Sequence, residues 1–317
     1  RAHPLPPALV APGLEPRLSP LTVAARARVA LFRTVGAVSE ALPVGLDVWV
    51  GRAVARALGR RAGAARANLR DNLRHALGAP GARVDPALLE RFVDRGFDSY
   101  GRYWAEGAKL PAIPAATVVE RFCIAEGREH LEAAKAAGRG LIVALPHVGS
   151  WEWGGAFLAQ VDLAMTAVAE VLEPPALFEW FSAKRAAMGI AIAPLDDRAG
   201  AVLLSTIASN GVVGLLCDRD IAGTGIDVTF FGERVTMPAG PATLALRTGA
   251  TLVAAACYAG PGRDHFAVVT PPIPAQRAGR LREDVGRVSQ SLSDALEGLI
   301  RRAPEQWHVL EDRFGAA

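Results

Sequence analysis

Apolar runs of two lengths alternate along most of this chain. Leu141-Ile142-Val143-Ala144-Leu145 and Val212 to Cys217 are short, unbroken and rich in branched side chains, the pattern of strands buried on both faces. Further strands are expected at 164–170, 190–193, 226–231, 251–258 and 265–269. Between them apolar residues recur every three or four positions, which predicts helices over 151–160, 175–187, 199–209, 239–248 and 281–301. Upstream, Leu88, Leu89, Phe92, Val93, Phe97, Tyr100, Tyr103 and Trp104 predict a helix over 85–109, broken by Pro111 and Pro114, with another over 126–137. Strand alternating with helix implies an α/β fold, a single mixed, mostly parallel sheet flanked by helices.

The first third reads differently. From Arg17 to Arg74 eleven arginines face only Glu40, Asp47 and Asp71. On a helical wheel Leu21, Val29, Leu31, Phe32 and Val35 share a face, Arg26 and Arg33 lie opposite, and Arg28 can snorkel. A basic amphipathic helix suits a protein lying on anionic lipid, although an ordinary surface helix in an arginine-rich chain has the same pattern. The expected organisation is an N-terminal amphipathic helical extension, residues 1–84, for membrane docking, followed by an α/β domain, residues 85–317. Nucleic acid is disfavoured as a partner, since interleaved aromatics and RNA-binding signatures are missing.

Composition narrows the picture. The chain has 317 residues, is 51% hydrophobic, and carries a net charge of +3 that is almost wholly arginine, with lysine only at 109, 135 and 184. No window reaches the ~18 uninterrupted apolar residues of a spanning helix, and no signal peptide is visible, although the chain opens on Arg1. Cys123, Cys217 and Cys257 are widely spaced, which predicts free thiols rather than disulfides or zinc ligands. A Gly-x-Ser-x-Gly elbow is missing, and Gly223-Thr224-Gly225 lacks the third glycine of a dinucleotide loop.

Candidate chemistry gathers after the 141–145 strand, in Pro146-His147-Val148-Gly149-Ser150-Trp151-Glu152. A strand ending in Pro-His delivers an imidazole to the carboxyl edge of the sheet, where α/β proteins place their ligands. Gly149 and Ser150 supply a turn and a helix cap. A histidine satisfied in the core, beside an acidic helix start, is the competing reading. Glu152 is five positions on and reaches His147 only through the intervening turn. Asp218 ends the 212–216 strand, at a sheet edge where it can meet His147, and Glu170 ends the 164–170 strand at the same mouth.

A histidine followed by four residues and a carboxylate resembles the glycerolipid acyltransferase signature. An ordered set of segments extends the likeness: Ser99 to Trp104, Ala144 to Glu152, Val168-Ala169-Glu170, Phe181 to Arg185, Asp218-Arg219-Asp220, Phe230 to Glu233, Met237 to Pro241, and Gln306-Trp307-His308. Together they resemble the lipid A secondary acyltransferase family, within it most closely the actinobacterial phosphatidylinositol mannoside acyltransferases. The resemblance implies a monotopic enzyme on the cytoplasmic face of the plasma membrane that moves a fatty acyl group from acyl-CoA to a hydroxyl of a membrane glycophospholipid, the mannose of a phosphatidylinositol mannoside. It implies neither metal nor resident cofactor. Other glycolipid acceptors of the lipid A type, acyl carrier protein as donor carrier, and a non-catalytic lipid-binding role on the same scaffold are the alternatives. His147 is the expected general base, Asp218 the partner of its imidazole and Glu152 the motif acid that holds the loop. The resemblance places Glu170 near the acceptor and makes Arg185 the family's site arginine; Arg219, Arg234 and Arg247 are candidates for phosphate or pantetheine contacts, and Thr224 is expected in a turn by the donor's head group.

Overall fold

The computed structural model describes residues 22–43, 45–78 and 83–315. Nine strands form β1 (Phe122–Glu126), β2 (Leu141–Leu145), β3 (Met165–Ala169), β4 (Ala191–Pro194), β5 (Val212–Leu216), β6 (Ile226–Phe230), β7 (Glu233–Met237), β8 (Thr251–Ala259) and β9 (His265–Val269). Seven make one sheet in the order β1-β9-β8-β2-β5-β3-β4, and β6 and β7 form a separate antiparallel ribbon. From β8 to β4 all neighbours are parallel; β9 runs antiparallel to β8, and β1 parallel to β9. The sheet is therefore mixed and mostly parallel.

Successive β2 side chains enter two different cores. Ile142 and Ala144 pack on one face with Val213, Leu252, Val288 and Leu296, while Leu141, Val143 and Leu145 pack on the other with Trp153, Phe157 and Val253. Burial on both faces explains the unbroken apolar runs. The first face is covered by α9 (Ala199–Ala208), α10 (Gly240–Thr248) and α11 (Leu281–Arg302); the second carries α5 (Ala115–Arg121), α6 (Arg128–Ala137) and α7 (Trp151–Leu158). α8 (Pro175–Ala187) packs beside β4.

The first four helices among the described residues form a layer of their own: α1 (Val23–Ala41), α2 (Leu46–Gly59), α3 (Gly63–Leu77) and α4 (Pro86–Lys109). α4 starts cleanly because Asp85 Oδ1 accepts from Leu88 N at 2.8 Å and Pro86 occupies the first turn. α2 lies so close to α4 that a Cβ on Gly51 would sit 2.6 Å from the Gly101 carbonyl oxygen. Leu69 and Leu73 of α3 share a small core with Leu89, Val93 and Phe97 of α4. Two buried ionic clusters fasten this layer to the sheet. Glu106 accepts from Arg102 Nε at 3.0 Å and meets His265 Nε2 at 3.0 Å, and Trp153 stacks on the His265 ring. Asp47 faces both Lys109 and Arg263.

Leu21 lies outside the described residues. The rest of the apolar face expected on α1 is divided: Val29 is buried, and Phe32 packs on Trp104 and Phe181, but Leu31 and Val35 are exposed. No helix among the described residues is long and apolar enough to cross a membrane.

Candidate active site

β2 and β5 are adjacent and in parallel register, with Leu145 opposite Leu216. Two residues beyond each lie His147 and Asp218, so the register alone carries both to one point at the carboxyl edge. The contact is made: His147 Nδ1 lies 2.5 Å from Asp218 Oδ1, and the His147 backbone N–H donates to Oδ2 at 2.9 Å. Trp307 Nε1 donates to the same Oδ2 at 2.7 Å. Asp218 is completely buried. Burial alone would raise its carboxyl, but the His147 charge and the donated hydrogen bonds outweigh that and hold it below the ordinary carboxylate value. In the neutral imidazole, an ionised acceptor on Nδ1 favours the proton there and the lone pair on Nε2.

The loop after β2 turns at a glycine. Gly149 has φ 58°, and a Cβ there would collide with the Cys257 carbonyl. Gly149 N–H donates to Gln306 O and Ser150 N–H to Cys257 O, both at 2.9 Å. Ser150 occupies the N-cap of α7, but its hydroxyl does not cap; it is buried without a hydrogen-bond partner. The cap expected from the sequence is thus positional only, because the turn that aims His147 also points this side chain inward.

Glu152 is turned away from the imidazole. Its Oε1 accepts from Tyr103 Oη at 3.1 Å and from Arg185 Nη2 at 3.3 Å, while Oε2 is buried without a hydrogen-bond partner. The Arg185 guanidinium lies over Trp151 and Phe181, at 4.9 and 5.8 Å from the ring centroids. This group lines an apolar cavity of about 600 Å³, walled by Phe32, Val35, Val54, Leu58, Trp104 and Phe181, with Tyr103, Glu152, Arg185, Asp47 and Lys184 among its polar lining. A second imidazole adjoins. His308 N–H donates to His147 O at 2.8 Å, and its ring contacts Ser99 Oγ at 2.9 Å and packs on Tyr100 and Tyr103. Desolvation, with the His147 charge, presses His308 down to about 3, so it stays neutral.

The other expected residues are spread more widely. Glu170 stands exposed just past β3, on the same sheet edge. Arg219 follows Asp218 but pairs with Glu311 of the C-terminal segment. Thr224 is exposed in a groove with Asp227, Leu281 and Arg282, at the start of α11 rather than beside His147. Arg247 is a clear departure. It lies in the last turn of α10, four residues before Thr251, which pairs with Leu141 at the start of β2. That is the opposite end of the sheet, about 20 Å from the mouth at ~3.3 Å per strand residue. Neither Thr224 nor Arg247 is brought to the His147–Asp218 pair. Conversely, Tyr103 and Trp307 enter the site as hydrogen-bond donors. In the sequence both stand in segments that carry the resemblance, and Tyr103 also belongs to the apolar stripe of the helix expected over 85–109. All three cysteines are free. Among the described residues no group of three or more histidine, cysteine or carboxylate side chains could hold a metal.

An imidazole aligned by a buried carboxylate thus stands at the carboxyl edge of an open α/β sheet, in a molecule that also carries a cavity of about 600 Å³ with largely apolar walls. The sequence profile described as bacterial lipid A biosynthesis acyltransferase matches residues 21–315, and the chain belongs to that family. It is similar to a phosphatidylinositol mannoside acyltransferase of Mycobacterium tuberculosis (strain ATCC 25618 / H37Rv), 36% identical over 242 residues, which cover 75% of this chain and 73% of that protein. A protein of the same name from Mycolicibacterium smegmatis (strain ATCC 700084 / mc(2)155) is 34% identical over 241 residues, 75% of this chain and 76% of its own length.

Proposed function

We propose that this chain is an O-acyltransferase that moves a fatty acyl group from acyl-CoA to a hydroxyl of a membrane glycolipid, the mannose of a phosphatidylinositol mannoside. The observation that carries the reading is the His147–Asp218 pair at the rim of the sheet, next to a cavity of about 600 Å³ whose walls are almost wholly apolar. His147 Nε2 takes the proton of the acceptor hydroxyl as that oxygen attacks the thioester carbonyl. The tetrahedral intermediate then expels the thiolate, and the imidazolium returns the proton to sulfur. Asp218 is held by donors on Oδ2 and shielded from water, so its charge stabilises the imidazolium as it forms. The fatty chain lies in the cavity, where each buried CH₂ contributes ~0.8 kcal/mol. Glu152, Arg185 and Glu170 are the polar groups that bind and orient the reacting ends; no metal or resident cofactor has a part.

Membrane docking belongs to the same proposal. Leu31, Val35, Val38, Trp49, Val54 and Leu58 are exposed on α1 and α2, and Val35, Val38, Val54 and Leu58 also line the cavity. Exposed Arg26, Arg28 and Arg33 accompany them on α1. Apolar residues with a tryptophan and a basic flank suit a monotopic seat on the anionic, cytoplasmic face of the plasma membrane. The donor and acceptor are tested together: purified protein is offered acyl-CoA or acyl carrier protein thioesters with lipid extracts containing phosphatidylinositol mannosides, and products are read by mass spectrometry. The expected product is a mannoside gaining one acyl group from acyl-CoA. Transfer from the carrier protein alone, or only to a different lipid, would replace the proposed substrates. Binding of donor with no transfer and no slow thioester hydrolysis would favour a non-catalytic role.

A further inference from the structure

The last described stretch of chain, from Pro304 to Phe314, is wound through the site as a strap. Gln306 brackets the end of β8, its side chain accepting from Ala259 N–H at 2.8 Å and donating to Ala259 O at 3.0 Å. The Gln306 carbonyl receives Gly149 N–H, Trp307 bridges to Val148, and His308 N–H donates to His147 O. Arg313 reaches Asp218 from another side, Nε donating to its carbonyl at 2.6 Å and Nη2 to Thr236 O at 2.9 Å. Asn72 of α3 anchors the strap at Val309 O and Glu311 O, both at 2.9 Å.

We propose that Trp307 is a positioning residue for acyl transfer, its indole N–H fixing the Asp218 carboxylate so that Oδ1 stays aimed at His147 Nδ1; this rests on the acyltransferase reading above. A carboxylate can turn about its Cβ–Cγ bond. Here Oδ2 is held by two donors, the His147 backbone N–H and Trp307 Nε1, which lock that rotation. Asp218 is completely buried, so no bulk water replaces a lost donor. Trp307 is itself 1% exposed and held by the strap at both flanking residues, so the N–H has one place to point. The indole is also a core side chain, packed on Phe230 and Phe231 with centroids 6.0 and 5.7 Å away. Packing and hydrogen bonding therefore have to be separated by experiment.

The separating experiment deletes the N–H and keeps the shape. 3-Benzothienylalanine, in which sulfur replaces the indole N–H, is incorporated at position 307 of the full chain, alongside Trp307→Phe and the packing control Phe230→Leu. A hydrogen bond to a charged group corresponds to about 10- to 100-fold in rate, so kcat is expected to fall by that factor in both position-307 variants, with KM for the donor within about threefold. The low-field proton resonance of His147 Nδ1–H should broaden or shift in both. Phe230→Leu should lower the melting temperature yet leave kcat and that resonance unchanged. Wild-type kcat and an unmoved resonance in the benzothienyl variant would overturn the proposal, as would an equal loss of kcat in Phe230→Leu. If wild-type protein turned over no acyl thioester, the enzyme reading would fail, while the resonance would still decide what the indole does.

Discussion

At the residue scale, the pair His147–Asp218 makes the sharpest demand. Asp218→Asn keeps the size of the side chain but removes the charge that stabilises the imidazolium, and can present an N–H₂ to Nδ1. Turnover should fall ~10²–10⁴-fold with little change in donor KM, measured by steady-state kinetics on a variant whose melting temperature is within a few degrees of wild type. Equal kcat in the two proteins would sink the assignment. Glu152→Gln should behave differently. It strands the Arg185 guanidinium, so stability should drop by ~1–3 kcal/mol in denaturant titration together with activity. His308 gives a pH signature. Its folded value, about 3, lies below the ordinary 6.5, so between those pH values the unfolded chain binds a proton that the folded one does not. Stability is therefore unaffected by this group above pH 6.5 and is lost as pH falls below it. His308→Asn should flatten the fall between pH 6.5 and about 4.5, a window above the carboxylates; an unchanged slope would refute this. Which acid meets the imidazole was only half legible in the sequence. Asp218 and Glu152 both follow strand ends; the β2–β5 register, a long-range pairing, sets Asp218 against His147, and the packing of α4 brings Tyr103 to Glu152.

At the scale of elements, the α2–α4 contact is the tightest helix pair touching the cavity. Gly51 and Gly101 face each other backbone to backbone, so neither helix has a side chain that could yield. Gly101→Ala gains up to ~1 kcal/mol of helix propensity, but overpacking against an immovable carbonyl costs ~1–3 kcal/mol, so the net effect should be destabilising. Gly107, also in α4, has open space where a Cβ would go, and Gly107→Ala should instead stabilise by up to ~1 kcal/mol. Chemical denaturation of both variants checks the pair; matching signs would refute the packing argument. Elements buried on both faces were read from sequence almost to the residue, β2 and β5 fully so, because continuous apolar runs leave little choice of boundary. β1 and β7 were not. β1 is half exposed and mixes polar with apolar residues, and β7 continues an antiparallel hairpin whose turn is made by Phe231 and Gly232 at positive φ. The expected strand ended at Phe231, since a phenylalanine carries no turn signal.

For the molecule as a whole, the proposed activity would require the sheet to meet an acceptor whose tails stay in the bilayer. The cavity lining includes Tyr103, whose ring packs on His308, the residue bonded through its backbone N–H to His147 O, and its apolar walls are built by α1, α2, α4 and α8. The helical layer is held to the sheet by the Asp47–Lys109–Arg263 and Glu106–Arg102–His265 clusters, so docking through α1 and α2 would carry the cavity and the site to the lipid as one body. Hydrophobic burial of Leu31, Trp49 and Leu58 would supply affinity, and the arginines of α1 would supply selectivity for anionic headgroups, at about 1 kcal/mol per charge near the surface. Changing Arg26, Arg28 and Arg33 together to Glu should therefore weaken binding to phosphatidylglycerol-containing vesicles by orders of magnitude and remove most of its dependence on salt. Turnover of a short-chain, water-soluble acyl thioester by the same variant should stay near wild type, because these exposed side chains make no hydrogen bond or ion pair with the His147 site. Co-sedimentation at low and high salt, run beside that soluble assay, reads both effects. A triple variant that sediments with anionic vesicles as wild type does would show that α1 is an ordinary surface helix, and would move the lipid-facing surface to the exposed tryptophan and leucines of α2.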